Sequence, residues 1–316
     1  MIQVEGVTKY FGSFPAVTNI SFNVEKGEVL GFLGPNGAGK STTMKILTGF
    51  LPPSSGSVRI AGYDIVSESL EARRHIGYLP ETVPLYTDMT VHDYLGFMGR
   101  IRGMSRDSVA RRIPEVIDIC RLEDYRSTHI SKLSKGFRQR VGIAQAIIHE
   151  PDVLVLDEPT IGIDPIQVVE TRQLIKSLGG EHTVIVSTHI LPEVSMICER
   201  VVIIHEGEIV AVDRPETLAS SLRGVERIEL EVRGPQRDVA NALSHVEGVR
   251  DVVRTPGDTT GVSRFKVEAT MGSEIRAELA VEVVNGGWDL LRLESIGMSL
   301  EEIFLRLTTS EDGPSE

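Results

Sequence analysis

Cysteine is nearly absent from this chain: Cys120 and Cys198 are its only two in 316 residues. Their separation matches no metal-ligand spacing, and a disulfide scaffold needs far more. Both sit among apolar neighbours, so the sequence predicts two buried free thiols and a reducing compartment. Long apolar runs are missing as well. No stretch approaches the ~18 residues that span a bilayer, and the opening MIQVEGVTKYFG lacks the apolar run of a signal peptide. The chain is therefore not expected to cross a membrane by itself, although it can dock onto a protein that does. Positive charge is scarce too, with 33 Lys+Arg against 45 Asp+Glu, a net charge of −12. That balance disfavours nonspecific binding to nucleic acid. The deficit is uneven: residues 221–316 hold 11 basic and 18 acidic side chains. There are no internal repeats, no low-complexity tract and no extended heptad run.

What is present is ordinary in bulk, with 41% hydrophobic and 25% charged residues, as in a soluble globular protein. The length suits roughly two domains. The pattern is organised around residues 34–42, GPNGAGKST, which fit G-x-x-x-x-G-K-[ST]. An apolar run at 29–33 precedes them, and a helical segment follows at 41–47. Strand, glycine loop and helix are the context this motif needs. Gly34, Pro35, Asn36, Gly37, Ala38, Gly39, Lys40, Ser41 and Thr42 are the predicted phosphate cradle. The glycines turn the backbone so that its N–H groups point inward, and the helix start adds a positive dipole end. Lys40 supplies a full charge, and the Ser41 hydroxyl can ligate Mg²⁺.

Before the loop, residues 2–7 and 20–30 read as strands, with a turn near 12–15. Phe11 beside that turn is either a nucleobase-stacking aromatic or a core residue. After it come strands at 58–60 and 76–79, and then a mostly helical insert of about 85–150. Apolar residues there recur at helical spacing through 91–101, 109–119 and 141–148. Within the insert, Ser134 can cap a helix beginning near Gly136. By itself this reads as a cap with a basic first turn.

Residues 153–156, Val-Leu-Val-Leu, predict a strand buried on both faces of a parallel sheet, and Asp157 and Glu158 stand at its carboxyl end. Ligands of open α/β sheets bind at that end. Asp157 is suited to hold Mg²⁺ and Glu158 to orient or deprotonate a water; the alternative is a helix-capping acid pair. Residues 162–165 form a turn and 168–178 a helix. A second buried strand at 184–187 ends at Thr188-His189, where a histidine can reach a γ-phosphate or be merely structural. Strands at 201–204 and 208–212 close this part.

Beyond about residue 220 the pattern changes. Ile228, Leu230 and Val232 alternate with charged residues. A helix at 235–245, strands at 249–254 and 262–267 around Pro256-Gly257-Asp258, a helix at 275–284 and a strand at 288–293 complete β-α-β-β-α-β, a ferredoxin-like α+β unit. A last helix opens with the capping box at 299–302, and the tail 310–316 is expected to be disordered.

This constellation resembles the ATP-binding cassette ATPases over residues 1 to about 220. Its most specific element is LSKGFRQR at 133–140, which looks like that family's signature motif and stands just before the acid-tipped strand. The resemblance implies an α/β P-loop cassette at 1–220, with a mostly parallel core sheet, an antiparallel N-terminal β part and the helical insert. An accessory domain follows at 221–309. It also implies ATP and Mg²⁺ as ligands, and a dimer in which Ser134 and Gly136 of one copy meet the nucleotide of the other. On this likeness Phe11 stacks on adenine, Ser41 and Asp157 hold the metal, Glu158 is the catalytic glutamate, His189 the switch histidine, and Asp164 communicates across the dimer. Glu81 departs from the pattern, which has glutamine there; a glutamate still offers the metal an oxygen but adds charge beside the phosphates.

Glu81, LSKGFRQR and the terminal LEEIFLRLT at 300–308 are similar to the exporter branch, whose permeases are separate chains. The expected protein is thus an ATP-hydrolysing subunit on the inner face of the cell membrane, held there by a permease, with no nucleic-acid partner. The competing expectation is a soluble cassette acting in DNA repair or on the ribosome. The missing coiled coil and the single cassette speak against it.

Overall fold

The computed structural model describes residues 1–215, 217, 225–255, 262–270 and 275–296. The chain divides into two compact units, Met1–Pro215 and Glu216–Glu316.

In the first unit, β1 (Ile2–Phe11), β2 (Phe14–Val24), β4 (Ser55–Ile60) and β5 (Tyr63–Asp64) form an antiparallel sheet in the order β2-β1-β4-β5. A six-stranded sheet contains β3 (Val29–Leu33), β6 (Ile76–Leu79), β7 (Val153–Asp157), β8 (Thr183–Thr188), β9 (Arg200–His205) and β10 (Glu208–Asp213), ordered β10-β9-β3-β8-β7-β6. Its strand pairings are parallel except at the β9–β10 edge. Every residue of β3, β7 and β8 is buried. This explains their unbroken apolar runs, since helices cover both faces of such a sheet.

Register decides where the chemistry falls. Leu33 pairs with Thr188 and Asp157 with Ser187. The carboxyl ends of β3, β7 and β8 are therefore neighbours at one edge, and β6 ends beside β7. Helix α1 (Lys40–Leu47) leaves the end of β3, and α2 (Ser69–Arg74) precedes β6. Between β6 and β7 come α3 (Val91–Ile101), α4 (Arg106–Ile119) and α5 (Lys135–Ile147). In α4 the buried residues are Val109, Ile113, Val116 and Ile117, an i, i+4, i+7, i+8 stripe. Thr90, Ser105 and Ser134 cap these three helices, each accepting a backbone N–H three residues on. Helices α6 (Pro165–Leu178) and α7 (Leu191–Ile197) follow β7 and β8.

The expected single strand over 20–30 is two. Its halves lie in different sheets, separated by a turn in which Gly27 has φ +80° and the Glu28 carboxylate accepts the Glu25 N–H at 2.8 Å. The short elements β5, α2 and α7 had no clear periodic signal. Both cysteines are buried and free, and burial pushes each thiol up to about 12.

In the second unit, β11 (Val225–Arg233), α8 (Gln236–Ser244), β12 (Val249–Thr255), β13 (Val262–Thr270), α9 (Ile275–Asn285) and β14 (Asp289–Ile296) succeed one another. The sheet order is β12-β13-β11-β14, all antiparallel. Ile228, Leu230 and Phe265 on its inner face pack against Leu243 of α8 and Leu279 of α9. The turn 256–258, the capping box at 299–302, the 300–308 segment and the tail 310–316 lie outside the described residues.

Candidate nucleotide-binding site

The loop between β3 and α1 adopts a conformation that only its glycines allow. Gly37 has φ +85° and Gly39 φ +103°, and a Cβ at Gly39 would stand 2.6 Å from the Ala16 carbonyl oxygen. Gly39 is also the N-cap of α1, with no side-chain cap and no acid in the first turn. The first N–H groups of α1 are thus left for an anion. Gly34, Pro35 and Ala38 do not line the cleft. The carbonyls of Gly34 and Pro35 accept the Lys40 ammonium at 2.8 and 3.2 Å, and Ala38 is buried.

Glu158 joins the loop to the sheet end. Its carboxylate pairs with Lys40 Nζ at 3.3 Å and accepts from His189 Nδ1 at 2.9 Å, with the Glu158 and Lys40 side chains both 6% exposed. Its backbone is in the left-handed region, φ +49°, and its N–H donates to the Ser187 carbonyl and hydroxyl oxygens, each at 3.1 Å. A non-glycine residue held there is a local strain the surroundings must impose, and such strain concentrates at functional sites. One residue earlier, Asp157 Oδ1 accepts from Ser187 Oγ at 2.5 Å and Ser41 Oγ at 3.4 Å. Burial raises the Asp157 carboxyl above the usual carboxylate range. The two hydroxyl bonds oppose that shift, and the nearby charges of Glu158 and Glu81 reinforce it. The Tyr78 phenol is pushed up to about 12, chiefly by burial and then by Asp157 and Glu81.

Lys40 and Glu158 line a cleft of about 430 Å³ together with Phe11, Asn36, Gly37, Gly39, Ser41, Thr42 and Glu81. Asp157 and His189 do not line it themselves and meet it through Ser41 and Glu158, to which they are hydrogen-bonded. Phe14, Ala16 and Ile161 complete it, and none of the three was expected from sequence. Phe14 had a signal. In Phe11-Gly12-Ser13-Phe14 the two aromatics flank a two-residue turn as backbone partners across the hairpin, and both are exposed. Ser187 was missed as well, although two hydroxyls ending an apolar strand hint at a polar task. Among the described residues no group of three or more His, Cys, Asp or Glu is arranged to hold a metal. Any cation here would rely on Ser41 and Asp157 together with the nucleotide.

The other expected residues, Ser134, Gly136 and Asp164, do not line this cleft. They sit together elsewhere, where α5 meets α6. Ser134 Oγ accepts from the Phe137 N–H at 3.3 Å and from Gln167 Nε2 at 3.4 Å. Asp164 caps α6 through the Gln167 N–H at 3.1 Å. A Cβ at Gly136 would collide with the Gln167 side chain.

A second concavity, apolar and about 720 Å³, lies between the strand–loop core and the helical insert, with Phe50, Tyr78, Tyr86, Phe97 and Ile101 on its walls. Phe50, Tyr86 and Ile101 are exposed. Pro80 and Thr82 line this groove while Glu81, between them, lines the nucleotide cleft.

Fold and site together define a P-loop ATPase: a glycine loop, a buried lysine, and an Asp-Glu pair and a histidine on adjacent strand ends. Residues 17–161 match the model of the ABC transporter family. The linearmycin resistance ATP-binding protein LnrL of Bacillus subtilis is 34% identical over 311 residues, 98% of each chain. The bacitracin transport ATP-binding protein BcrA of Bacillus licheniformis is 34% identical, covering 97% of each chain. A dimeric ATP-binding cassette solved in a post-hydrolysis state with ADP and phosphate superimposes with TM-score 0.62 at 28% identity, covering 68% of this chain and 98% of that one. The chain belongs to the ABC transporter ATP-binding proteins of the export type, and it is an ATPase that powers a membrane transporter.

Proposed function

We propose that two copies of this chain close head to tail on two molecules of MgATP and thereby drive a separate membrane permease that exports its substrate. The observation that carries the catalytic part is the Glu158 carboxylate, which touches both Lys40 and His189 beside the glycine loop. Backbone N–H groups of residues 36–42 and Lys40 bind the phosphates, and Phe11 with Phe14 takes the base. Oxygen donors from Ser41 and Asp157 suit a hard cation. Burial raises the Asp157 carboxyl, the charges of Glu158 and Glu81 add to that shift, and a cation bound there would oppose it. Mg²⁺ held by Ser41 and Asp157 would supply positive charge to the transferring phosphoryl group.

Glu158 orients a water and takes its proton as the oxygen bonds to the γ-phosphorus. The bond to the bridging oxygen of ADP breaks, and ADP and phosphate leave. His189 holds Glu158 in place and stabilises charge on the γ-phosphate. Little covalent chemistry falls to the protein, so positioning and electrostatics carry the rate. Ser134 and Gly136 act in the partner copy's site, a reading supported by their absence from their own chain's cleft and by the dimeric cassette above. Asp164, next to them, relays closure.

The permease docks in the apolar groove. Three exposed large apolar residues on one concave surface need a cover. The loop 80–82 faces that groove and the nucleotide cleft at once, so occupancy of either is felt at the other. The membrane location follows from this docking; among the described residues no helix is long and apolar enough to cross a bilayer.

The test is affinity capture of the tagged chain from detergent-solubilised membranes of its own source, with and without ATP. A stoichiometric multi-span protein is expected, and Tyr86→Glu with Phe97→Glu should release it while ATP turnover by the isolated chain persists. Capture of ribosomes or DNA instead, or of nothing, would remove the exporter reading and leave the ATPase.

A further inference from the structure

Glu193 of α7 is a buried carboxylate that the hydrolysis mechanism does not use. It is 2% exposed and its charge is fully engaged. Oε2 accepts from Thr160 Oγ1 at 2.7 Å and from Thr188 Oγ1 at 3.1 Å. Oε1 accepts from Arg172 Nη2 at 3.0 Å. The three donors come from three different places in the machinery. Thr160 lies two residues after Glu158. Thr188 ends β8 immediately before His189. Arg172 belongs to α6, the helix that Asp164 caps.

The Thr188 hydroxyl is used twice: while donating to Glu193 it accepts the Ile190 N–H at 3.0 Å. His189 therefore sits in a backbone segment pinned on both sides by one hydroxyl, and that hydroxyl is oriented by Glu193. The platform beneath is closely packed. A Cβ at Gly31 of β3 would lie 2.7 Å from Val194 Cγ1 and 3.1 Å from Cys198 Sγ, so α7 packs directly on the strand that feeds the glycine loop.

We propose that Glu193 is a positioning residue for hydrolysis: it locks the Glu158 loop, the His189 loop and α6 into one arrangement. This deepens, and rests on, the assignment of Glu158 and His189 to catalysis. Its chemistry requires a carboxylate. Three donors converge on two acceptor oxygens, so an amide must turn its NH₂ towards at least one donor and lose that contact. Because Glu193 does not line the cleft, its loss should act on turnover rather than on nucleotide binding.

The experiment uses the full chain, with steady-state ATP turnover and equilibrium nucleotide binding measured in parallel. Glu193→Gln and Thr188→Val are each expected to lower kcat by about tenfold or more with ATP affinity within about threefold. Thr188→Ser, which keeps the hydroxyl, should recover most of the Thr188→Val loss. Residues acting through one another are non-additive, so in a His189→Ala background Glu193→Gln should cost little more. Should Glu193→Gln fail to fold, Thr188→Val and its serine rescue decide the question by the same criteria. Turnover within about twofold of the parent in Glu193→Gln and Thr188→Val overturns the proposal, as does a loss that multiplies with His189→Ala. A His189→Ala chain at parental turnover would instead sink the underlying assignment, whatever Glu193 does.

Discussion

Replacing Glu158 by glutamine isolates one proton acceptor while leaving its surroundings almost intact. The side chain keeps its size, and the backbone bonds from the Glu158 N–H to Ser187 do not involve the carboxylate. Lys40 loses its 3.3 Å charge partner but keeps the carbonyls of Gly34 and Pro35. The amide oxygen still accepts one of the two donors that meet at Glu158. Folding should change little, with a melting temperature within a few degrees of the parent. Turnover is another matter. Removal of a general base costs about 10²- to 10⁴-fold, or about 3–5 kcal/mol of transition-state stabilisation at 1.36 kcal/mol per decade. Binding should tighten, because one negative charge leaves a cleft that receives the phosphates, is lined by Glu81 and has Asp157 close by. A variant that binds but does not hydrolyse accumulates in the closed form. Size-exclusion chromatography in MgATP should therefore show a dimer for Glu158→Gln that the parent shows only transiently, and single-turnover assays should show unconverted ATP. Turnover within about tenfold of the parent would refute the assignment of the base.

Further outcomes follow from the same geometry. Phe11→Ala should weaken ATP binding by about 1–3 kcal/mol, the worth of a base–aromatic stack, with kcat at saturation preserved; Phe14→Ala should do likewise if both rings grip the base, and a nucleotide titration reads both. Lys40→Ala and Ser134→Arg should each be inactive alone, whereas a mixture of the two should regain activity. The mixed dimer assembles one site from an intact glycine loop and the other copy's intact signature, and a mixture no more active than its components would argue against sharing in trans. Gly39→Ala should destabilise the chain by about 1–3 kcal/mol, since alanine is strained at φ +103° and its Cβ meets the Ala16 carbonyl. Thermal melting should then fall by about 2–4 °C per kcal/mol for a domain of this size.

Local chemistry made much of this molecule legible without coordinates. A glycine loop announces itself because only glycine tolerates its dihedrals. Four apolar residues running into Asp157-Glu158 read as a doubly buried strand tipped with acids, because acids at the end of such a strand are costly unless they are used. The helices of the insert follow from their apolar period and, for the last of them, from the Ser134 cap. Each such signal is carried by neighbours in sequence. Tertiary structure alone decided which strand ends lie side by side, and the order β3-β8-β7-β6 depends on crossovers that no local pattern encodes. That order put Ser187 against Asp157 and brought the hydroxyls of Thr160 and Thr188 to the carboxylate of Glu193, residues unremarkable one at a time. Tertiary packing also kept Ser134 and Gly136 out of the cleft formed by their own chain, beside Asp164 and Gln167. Periodicity and turn propensity act over a few residues, whereas a site is made where segments more than a hundred residues apart are packed into register.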